Sequence, residues 1–210
     1  TCASSEKRDA LIEAVDGVTQ KYGDTGAALR PHKRTPVPAL PLFDEGVWWA
    51  QDAGAMQAAL LLKSLPRGAK VLDMCSAPGG KALQLSSFGF EVVAVEKSTK
   101  RAERLRQNLE RCKSDVDVRV QDATLINDMF DGVLVDAPCS ATGTARRRPD
   151  VLRKDLDLEA LAATQAALLD AAWRCLKPGG LLVFSSCSAL TADAEQSFAA
   201  FLRRTADAQL

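Results

Sequence analysis

Two cysteines each follow a short hydrophobic run of the kind that forms a buried β-strand. Cys139 comes after Val133–Val135, and Cys187 comes after Leu181–Phe184. If the two runs are neighbouring parallel strands, both thiols lie at the same sheet edge, because adjacent strands are only about 4.8 Å apart. Open α/β sheets bind their ligands at that carboxyl-terminal edge. A pair of thiols beside a ligand site predicts covalent chemistry.

A loop of small residues follows the first predicted strand of the sheet, Val71–Met74, and a helix is predicted to open at about Lys81. Small side chains let a ligand approach the backbone, and the free N–H groups of a helix start attract a carboxylate or a phosphate. The spacing matches neither a dinucleotide-binding loop nor a P-loop, which argues against NAD and ATP. The predicted cofactor loop comprises Cys75, Ser76, Ala77, Pro78, Gly79, Gly80 and Lys81.

Acidic residues end four successive predicted strands at one rim, namely Asp73, Glu96, Asp122 and Asp136. Glu96 is placed to grip both ribose hydroxyls of a nucleoside cofactor, and Asp122 lies within reach of an adenine amino group. Each acid taken alone can also be a helix cap, since strand-end acids often are. Four acids in register beside a small-residue loop predict S-adenosylmethionine as the cofactor.

Short Val- and Leu-rich runs alternate with helical patterns along most of the chain, which predicts a doubly wound, mostly parallel α/β sheet. Ser98 is predicted to cap a helix over Arg101–Cys112, with its arginines on the exposed face, and Lys177–Gly180 to stop the next long helix. A last helix is predicted over Ala192–Leu202. The other predicted strands are Val92–Val95 and Val116–Val120.

The amino-terminal part differs from this alternating pattern. Hydrophobic residues at helical spacing predict a short amphipathic helix over Ser5–Lys21. The Pro-rich stretch Arg30–Pro38 predicts a linker, because proline removes backbone donors and restricts φ. We therefore divide the chain into an amino-terminal helix and linker, residues 1–36, and a catalytic domain, residues 37–210. The chain does not begin with Met, so we expect it to be a fragment of a longer protein. Loss of a targeting peptide is kept as an alternative.

Composition limits the classes of function. The formal charge is zero, with 27 basic and 27 acidic residues, so contact with a polynucleotide must come from local patches or another module. The six cysteines form no C-x-x-C pair, which argues against a metal site and a disulfide scaffold. Free thiols predict a reducing compartment, the cytoplasm or an organellar matrix. No apolar run is long enough to cross a membrane.

The motifs resemble those of one family, the RNA cytosine-5 methyltransferases of the RsmB (Fmu/Sun) and NSUN type. The similarity runs from about Leu42 to Leu202. The segments that carry it are Gly46–Asp52, Cys75–Lys81, Asp136–Gly143 with Arg147–Asp150, Leu176–Gly180 and Ser185–Ser188.

The chain departs from the family pattern in several places. Ala141 stands where the family has Gly, and residues 192–196 match only in part. The final antiparallel strand pair of this fold is expected to be missing. Residues 1–36 are too few for the helical RNA-binding domain of bacterial members. The missing strand pair and the short amino-terminal region affect the expected affinity for RNA more than the expected chemistry.

The resemblance implies methylation of cytosine at carbon 5 in RNA, with ribosomal RNA preferred over transfer RNA as the partner. Cys187 is then the nucleophile, and Cys139 assists release of the methylated product. Asp136 hydrogen-bonds the base edge and stabilises the activated ring. Lys81 holds the Asp136 carboxylate or the base, although a plain ion pair is an equal alternative. For the cysteines, the alternative is that free thiols simply pack in the interior.

Two further features have open interpretations. The run Arg146–Arg148 can contact phosphates beside a splayed-out cytosine or be solvated surface. Trp48 and Trp49 can stack on a base, although at least one is expected in the core. The competing functions are a catalytically silent RNA-binding or ribosome-assembly factor and a small-molecule methyltransferase.

Overall fold

The computed structural model describes residues 1–210, apart from the side chains at positions 28 and 30. A five-stranded parallel sheet in the order β5-β4-β3-β6-β7 is flanked by helices on both faces. The doubly wound, Rossmann-like methyltransferase fold is confirmed. The strands are β1 (Gly17–Tyr22), β2 (Gly26–Pro31), β3 (Lys70–Met74), β4 (Glu91–Glu96), β5 (Asp117–Val120), β6 (Phe130–Asp136) and β7 (Leu176–Ser185). The helices are α1 (Ser5–Ala14), α2 (Ala53–Leu60), α3 (Gly80–Ser87), α4 (Thr99–Arg111), α5 (Leu158–Cys175) and α6 (Gln196–Arg204).

The central strands are hydrophobic on both faces because helices cover both faces. Alternate residues of β4 enter different core clusters: Val92 and Ala94 pack with α2, α3 and α4, while Val93 and Val95 pack with α5. This follows from the two-residue period of a strand. A parallel sheet buried on both sides reads as a continuous apolar run, which is why the sequence located these strands.

Strands β6 and β7 are parallel neighbours, with Asp136 opposite Ser185. The loops that follow these two residues carry Cys139 and Cys187, so both cysteines leave the sheet at its carboxyl-terminal edge. The condition on which the shared position of the two thiols depends, that these strands are parallel neighbours, is therefore met. In the described part of the chain, β7 is an edge strand.

The predicted helix over Ser5–Lys21 is wrong in its second half. Helix α1 ends at Ala14, and β1 and β2 form an antiparallel hairpin. The physical reason is that Val15 has extended backbone angles and packs in a cluster with Cys2, Leu11 and Trp48. The amino-terminal residues therefore contact the segment that leads into the sheet. The division at residue 36 stays a prediction.

The predicted helix boundaries agree with the structure. Helix α4 begins after Ser98, whose side chain accepts a hydrogen bond from the Arg101 backbone. Helix α5 ends at Cys175, just before the predicted stop at Lys177–Gly180, and these four residues lie in β7, where they bulge between two register points of the ladder with β6. A wide helical turn, Thr191–Glu195, precedes α6. None of the described helices is long and apolar enough to cross a bilayer.

Candidate active site

The two cysteine sulfurs are 3.4 Å apart. Cys139 is half-buried and Cys187 is exposed. The two loops are also joined by a backbone hydrogen bond of 3.0 Å from Gly143 N to the Cys187 carbonyl and by a 2.8 Å contact between the hydroxyls of Ser140 and Ser188. The structure thus brings together the two thiols that the sequence singled out.

Backbone conformation in the Cys139 loop explains two residue choices. A Cβ at Gly143 would lie 2.7 Å from the Cys187 carbonyl oxygen, so only glycine permits this approach of the loops. Ala141 has a left-handed φ of 58°, a conformation that costs a residue with a side chain about 1 kcal/mol. The glycine that the family pattern has at this position avoids that cost.

The thiols titrate as a pair. The hydrogen bond from Cys187 lowers the pKa of Cys139 to about 6, against the opposing effect of burial. The same contact raises the pKa of Cys187, with partial burial and the charges of Cys139 and Asp136 acting in the same direction. The pair therefore loses its first proton more easily than an isolated thiol does, and it holds its second proton more tightly.

Lys81 and Asp136 form an ion pair beside the thiols. The distance from Lys81 Nζ to Asp136 Oδ2 is 2.7 Å, and the Lys81 side chain is only 11% exposed. Asp73 lies fully buried nearby, and its Oδ2 accepts a 2.7 Å hydrogen bond from the Ser76 hydroxyl. Burial raises the pKa of Asp73 to about 7, and the nearby Asp136 carboxylate contributes in the same direction. Lys81 therefore neutralises part of a locally acidic cluster.

The predicted cofactor loop turns tightly from β3 into α3. Cys75 has a φ of 59°, and Gly79, with a φ of 105°, precedes the first helical residue. A Cβ at Gly79 would lie 2.6 Å from a methyl carbon of Leu105. Arg101 Nη2 and the Asn108 side chain bind the carbonyls of Ala77 and Pro78, each at 2.8 Å. Helix α4 thus supports the outer side of the loop.

A cavity of about 470 Å³ opens beside this loop. The predicted cofactor residues that line it are Cys75, Glu96 and Asp122. The remaining loop residues, Ser76 to Lys81, and Asp136 are not part of the lining. The other lining residues are Val95, Lys97, Arg101, Ala123, Thr124, Pro138, Thr164, Ala167 and Leu168.

Two acids in this cavity also have structural partners. Glu96 is 3% exposed, and its Oε1 accepts a 2.9 Å hydrogen bond from Ser98 N. Its Oε2 is buried without a hydrogen-bond partner and lies 3.4 Å from Arg101 Nη1. Asp122 accepts from Thr124 N, and the hydrogen bond from Lys97 lowers the pKa of Asp122 to about 2. The capping alternative therefore holds for Asp122, which caps the short helix Ala123–Leu125, whereas Glu96 binds the backbone of Ser98, the residue that caps α4. Both acids still face the cavity.

Sequence reasoning missed several residues around the cavity. The helical pattern predicts Arg101 on an exposed helix face, yet it binds the cofactor loop and approaches Glu96. Thr164 and Leu168 reach the cavity from α5, a helix that lies far from the cofactor loop in the sequence. For Arg101, its place in the first turn of the helix after Glu96 was an available signal. For α5, only the packing of the helix onto the sheet brings it there.

The suggestion that Trp48 or Trp49 stacks on a base is wrong. Their exposed fractions are 3% and 5%, and their indole nitrogens donate to Pro41 O and Gln51 Oε1. Both rings belong to the core. Among the described residues, no group of three or more acidic, cysteine or histidine side chains has a metal-binding arrangement.

Comparison with known proteins places this site in a family. A family model for the 16S rRNA methyltransferase RsmB/F matches residues 59–210. The chain belongs to the RsmB/F family. It is 41% identical to the ribosomal RNA small subunit methyltransferase B of Shewanella oneidensis, over 98% of this chain and 50% of that protein. It thus spans about half the length of the curated relatives it matches.

Two solved structures resemble the RsmB/F chain closely in fold. PH0851 has a TM-score of 0.86 and 25% identity, covering 95% of this chain and 47% of that one. NSun6 from Pyrococcus horikoshii, determined with SFG, has a TM-score of 0.73 and 28% identity, covering 87% and 50%. SFG is an analogue of S-adenosylmethionine, the cofactor of this methyltransferase family. The predicted family and cofactor are confirmed.

Proposed function

We propose that the protein transfers a methyl group from S-adenosylmethionine to carbon 5 of a cytosine in ribosomal RNA. The observation that carries this proposal is the 3.4 Å thiol pair at the sheet edge, next to the Lys81–Asp136 ion pair. Methylation of an accessible nucleophile such as an amine or a hydroxyl does not need two thiols. Carbon 5 of cytosine is a poor nucleophile, so its methylation needs a covalent activator.

The cavity supports the cofactor part of the proposal. Its volume of about 470 Å³ is within the range of small-molecule sites. The buried Oε2 of Glu96 is 3.4 Å from Arg101 Nη1 but accepts no hydrogen bond, so it is suited to accept one from a ribose hydroxyl. When bound there, S-adenosylmethionine supplies an electrophilic methyl group.

The protein groups then activate and release the base. The Cys187 thiolate adds to carbon 6 of cytosine, and the electrons of the 5,6 double bond move so that carbon 5 becomes the nucleophile. Asp136 hydrogen-bonds the edge of the base and stabilises the activated ring, while Lys81 holds Asp136 in place. After methyl transfer, loss of the proton on carbon 5 restores the double bond and expels the Cys187 thiolate.

Cys139 is assigned to the release step. Its lowered pKa gives it a negative charge at neutral pH, so it can accept the proton that Cys187 must lose before attack, and it can assist proton removal at release. The same charge favours a second assignment in which Cys139 is the nucleophile, because the thiolate is the attacking form. The two assignments predict opposite behaviour of the cysteine variants.

Methyl transfer itself is tested with the chain, S-adenosylmethionine carrying a labelled methyl group, and a transcript of small-subunit ribosomal RNA. We expect label in 5-methylcytosine when the RNA is digested to nucleosides and analysed by mass spectrometry. A transfer RNA transcript serves as the competing substrate. Absence of label in RNA, together with retained RNA binding, would favour the assembly-factor alternative. Reduced thiols are needed for this chemistry, so we expect the cytoplasm as the location.

Glu96→Ala is expected to weaken binding of S-adenosylmethionine, because it removes the proposed ribose acceptor. Loss of one charge-assisted hydrogen bond is worth about 1.5–3 kcal/mol, or roughly 10- to 150-fold in Kd. Isothermal titration calorimetry measures the change. Glu96→Gln keeps an acceptor for Ser98 N, so it separates the effect on cofactor binding from the loss of the hydrogen bond between Ser98 N and Glu96. Glu103→Ala, on the exposed face of α4, is the control. An unchanged Kd in Glu96→Ala would refute the ribose assignment.

Arg147→Ala combined with Arg148→Ala is expected to weaken RNA binding for all sequences and to leave cofactor affinity unchanged. Both side chains are more than half exposed and pair only with exposed acids, Asp52 and Asp150. Such pairs are weak, and phosphates can replace the carboxylates. The slope of log Kd against log salt should fall by about 1 for each phosphate that the variant no longer binds. Arg104→Ala with Arg106→Ala removes the same charge from α4 as a control. Equal effects of the two double variants would show that the loop does not bind phosphates specifically.

A further inference from the structure

A buried carboxylate and a buried amide lie behind the Cys139 loop. Asp193 is 2% exposed and belongs to the turn that precedes α6, six residues after Cys187. Gln165 is fully buried in the middle of α5. Neither residue lines the cavity or contacts the thiols. Side-chain hydrogen bonds join them to each other and to the backbone on either side of Cys139.

The pair holds the peptide groups on both sides of Cys139. Asp193 Oδ2 accepts a 2.7 Å hydrogen bond from Ser140 N, and its Oδ1 accepts a 2.6 Å hydrogen bond from Gln165 Nε2. The second hydrogen of Gln165 Nε2 goes to the Pro138 carbonyl at 2.9 Å. The residue before Cys139 and the residue after it are therefore both bound to one buried unit.

The same unit ties together the two segments that carry the thiols. Asp193 lies in the segment that continues from Cys187, and Pro138 and Ser140 belong to the Cys139 loop. Burial raises the pKa of Asp193, but the hydrogen bonds from Ser140 and Gln165 outweigh it, so the carboxyl has a lowered pKa and stays charged. Charge-assisted hydrogen bonds to a buried carboxylate are stronger than neutral ones.

We propose that Asp193 and Gln165 are positioning residues that set the distance and relative orientation of the Cys139 and Cys187 thiols. This inference rests on the proposed function, in which the two thiols act in sequence on one base. Covalent catalysis of this kind depends on placement to within a fraction of an ångström. The contact between the hydroxyls of Ser140 and Ser188 is a neutral hydrogen bond, which is the weaker kind. The hydrogen bonds to Asp193 are charge-assisted and lie in the interior.

A thiol equilibrium tests the positioning without any RNA. Incubation with glutathione disulfide converts the two thiols to an intramolecular disulfide and releases two molecules of glutathione. The equilibrium constant measures how well the sulfurs are held together. In Asp193→Asn one of the two acceptor oxygens becomes a donor, so one hydrogen bond to the unit is lost. We expect the constant to fall about tenfold or more.

Glu195→Gln is the matched control, because it removes an exposed charge two residues away in the same turn. Its equilibrium constant should stay within about twofold of the unchanged chain. If Asp193→Asn does not fold, Gln165→Met replaces it, because this substitution removes both amide donors at similar volume. The equilibrium constant is again expected to fall about tenfold or more. A thiol equilibrium that is unchanged in the folded variant overturns the proposal, including when the melting temperature falls.

Methyl transfer supplies the second measurement. Asp193→Asn should lower kcat about tenfold or more while the KM for S-adenosylmethionine changes less than about twofold, because the unit touches the thiol loops and not the cofactor cavity. A rise in KM with unchanged kcat contradicts the proposal. If the unchanged chain transfers no methyl group, the proposed function fails, and the thiol equilibrium still decides whether Asp193 and Gln165 position the pair.

Discussion

Cys187→Ala is expected to abolish methyl transfer and to form no covalent protein–RNA complex, whereas Cys139→Ala is expected to accumulate one. Without Cys187 no bond to carbon 6 forms. Without Cys139 that bond forms and the methyl group can transfer, but the proton-accepting thiolate next to the bond is missing and release is slow. The complex should survive denaturing electrophoresis, where it appears as a band of reduced mobility that contains both RNA and protein.

The cysteine experiment has an internal control and a clear opposite outcome. Cys112→Ala removes a thiol that lies in the core, outside the site, and should behave like the unchanged chain. If Cys187→Ala forms the complex and Cys139→Ala does not, the roles are reversed, as the charge on Cys139 would allow. The pH dependence separates the thiols further: alkylation of Cys139 in the unmodified pair should persist down to about pH 6. An ordinary thiol would lose reactivity well above that pH.

Asp136→Asn is expected to reduce kcat/KM for methyl transfer on the order of 10²- to 10³-fold, the range for loss of one group that stabilises charge in the transition state. The side chain keeps its size, so the loss reports charge rather than packing. Lys81→Met should also reduce the rate, because it leaves the carboxylates of Asp136 and Asp73 without their cation. If Lys81 acts by holding Asp136, the double variant should be little worse than Asp136→Asn alone.

Steady-state kinetics on the RNA transcript measures these rates. Asp155→Asn is the control, since Asp155 is an exposed carboxylate away from the thiols and the cavity. A loss of less than about threefold in Asp136→Asn, well below the 10²-fold expected of a group that stabilises the activated ring, would remove Asp136 from the proposed mechanism. Fully additive effects of Asp136→Asn and Lys81→Met would mean that Lys81 acts on the base directly, which is the other role considered for it.

The sequence predicted the sheet and its catalytic edge better than the amino-terminal region. The strands that are buried on both faces are continuous Val- and Leu-rich runs, and this signal is local. Residues 17–31 form a hairpin, and its Val18 is largely exposed. These strands therefore lack the alternation of apolar and polar residues by which a half-buried strand is recognised in a sequence. The hydrophobic spacing predicts a helix that continues to Lys21, whereas in the structure the helix ends at Ala14 and Val15 is extended.

The sequence by itself determined which residue types follow the predicted strands: two thiols, a lysine after the small-residue loop, and acids at the ends of four strands. Strand ends and turns are encoded by neighbouring residues, so these positions can be read from local sequence. Only the tertiary structure decided that the sulfurs are 3.4 Å apart, that the pKa of Cys139 is lowered and that of Cys187 raised, and that Arg101 and α5 complete the lining of the cavity. It also decided that Asp193 and Gln165 bind the loop from behind. Distances between segments far apart in the chain depend on how helices pack on the sheet, and a pKa depends on those distances, so neither can be read from local sequence.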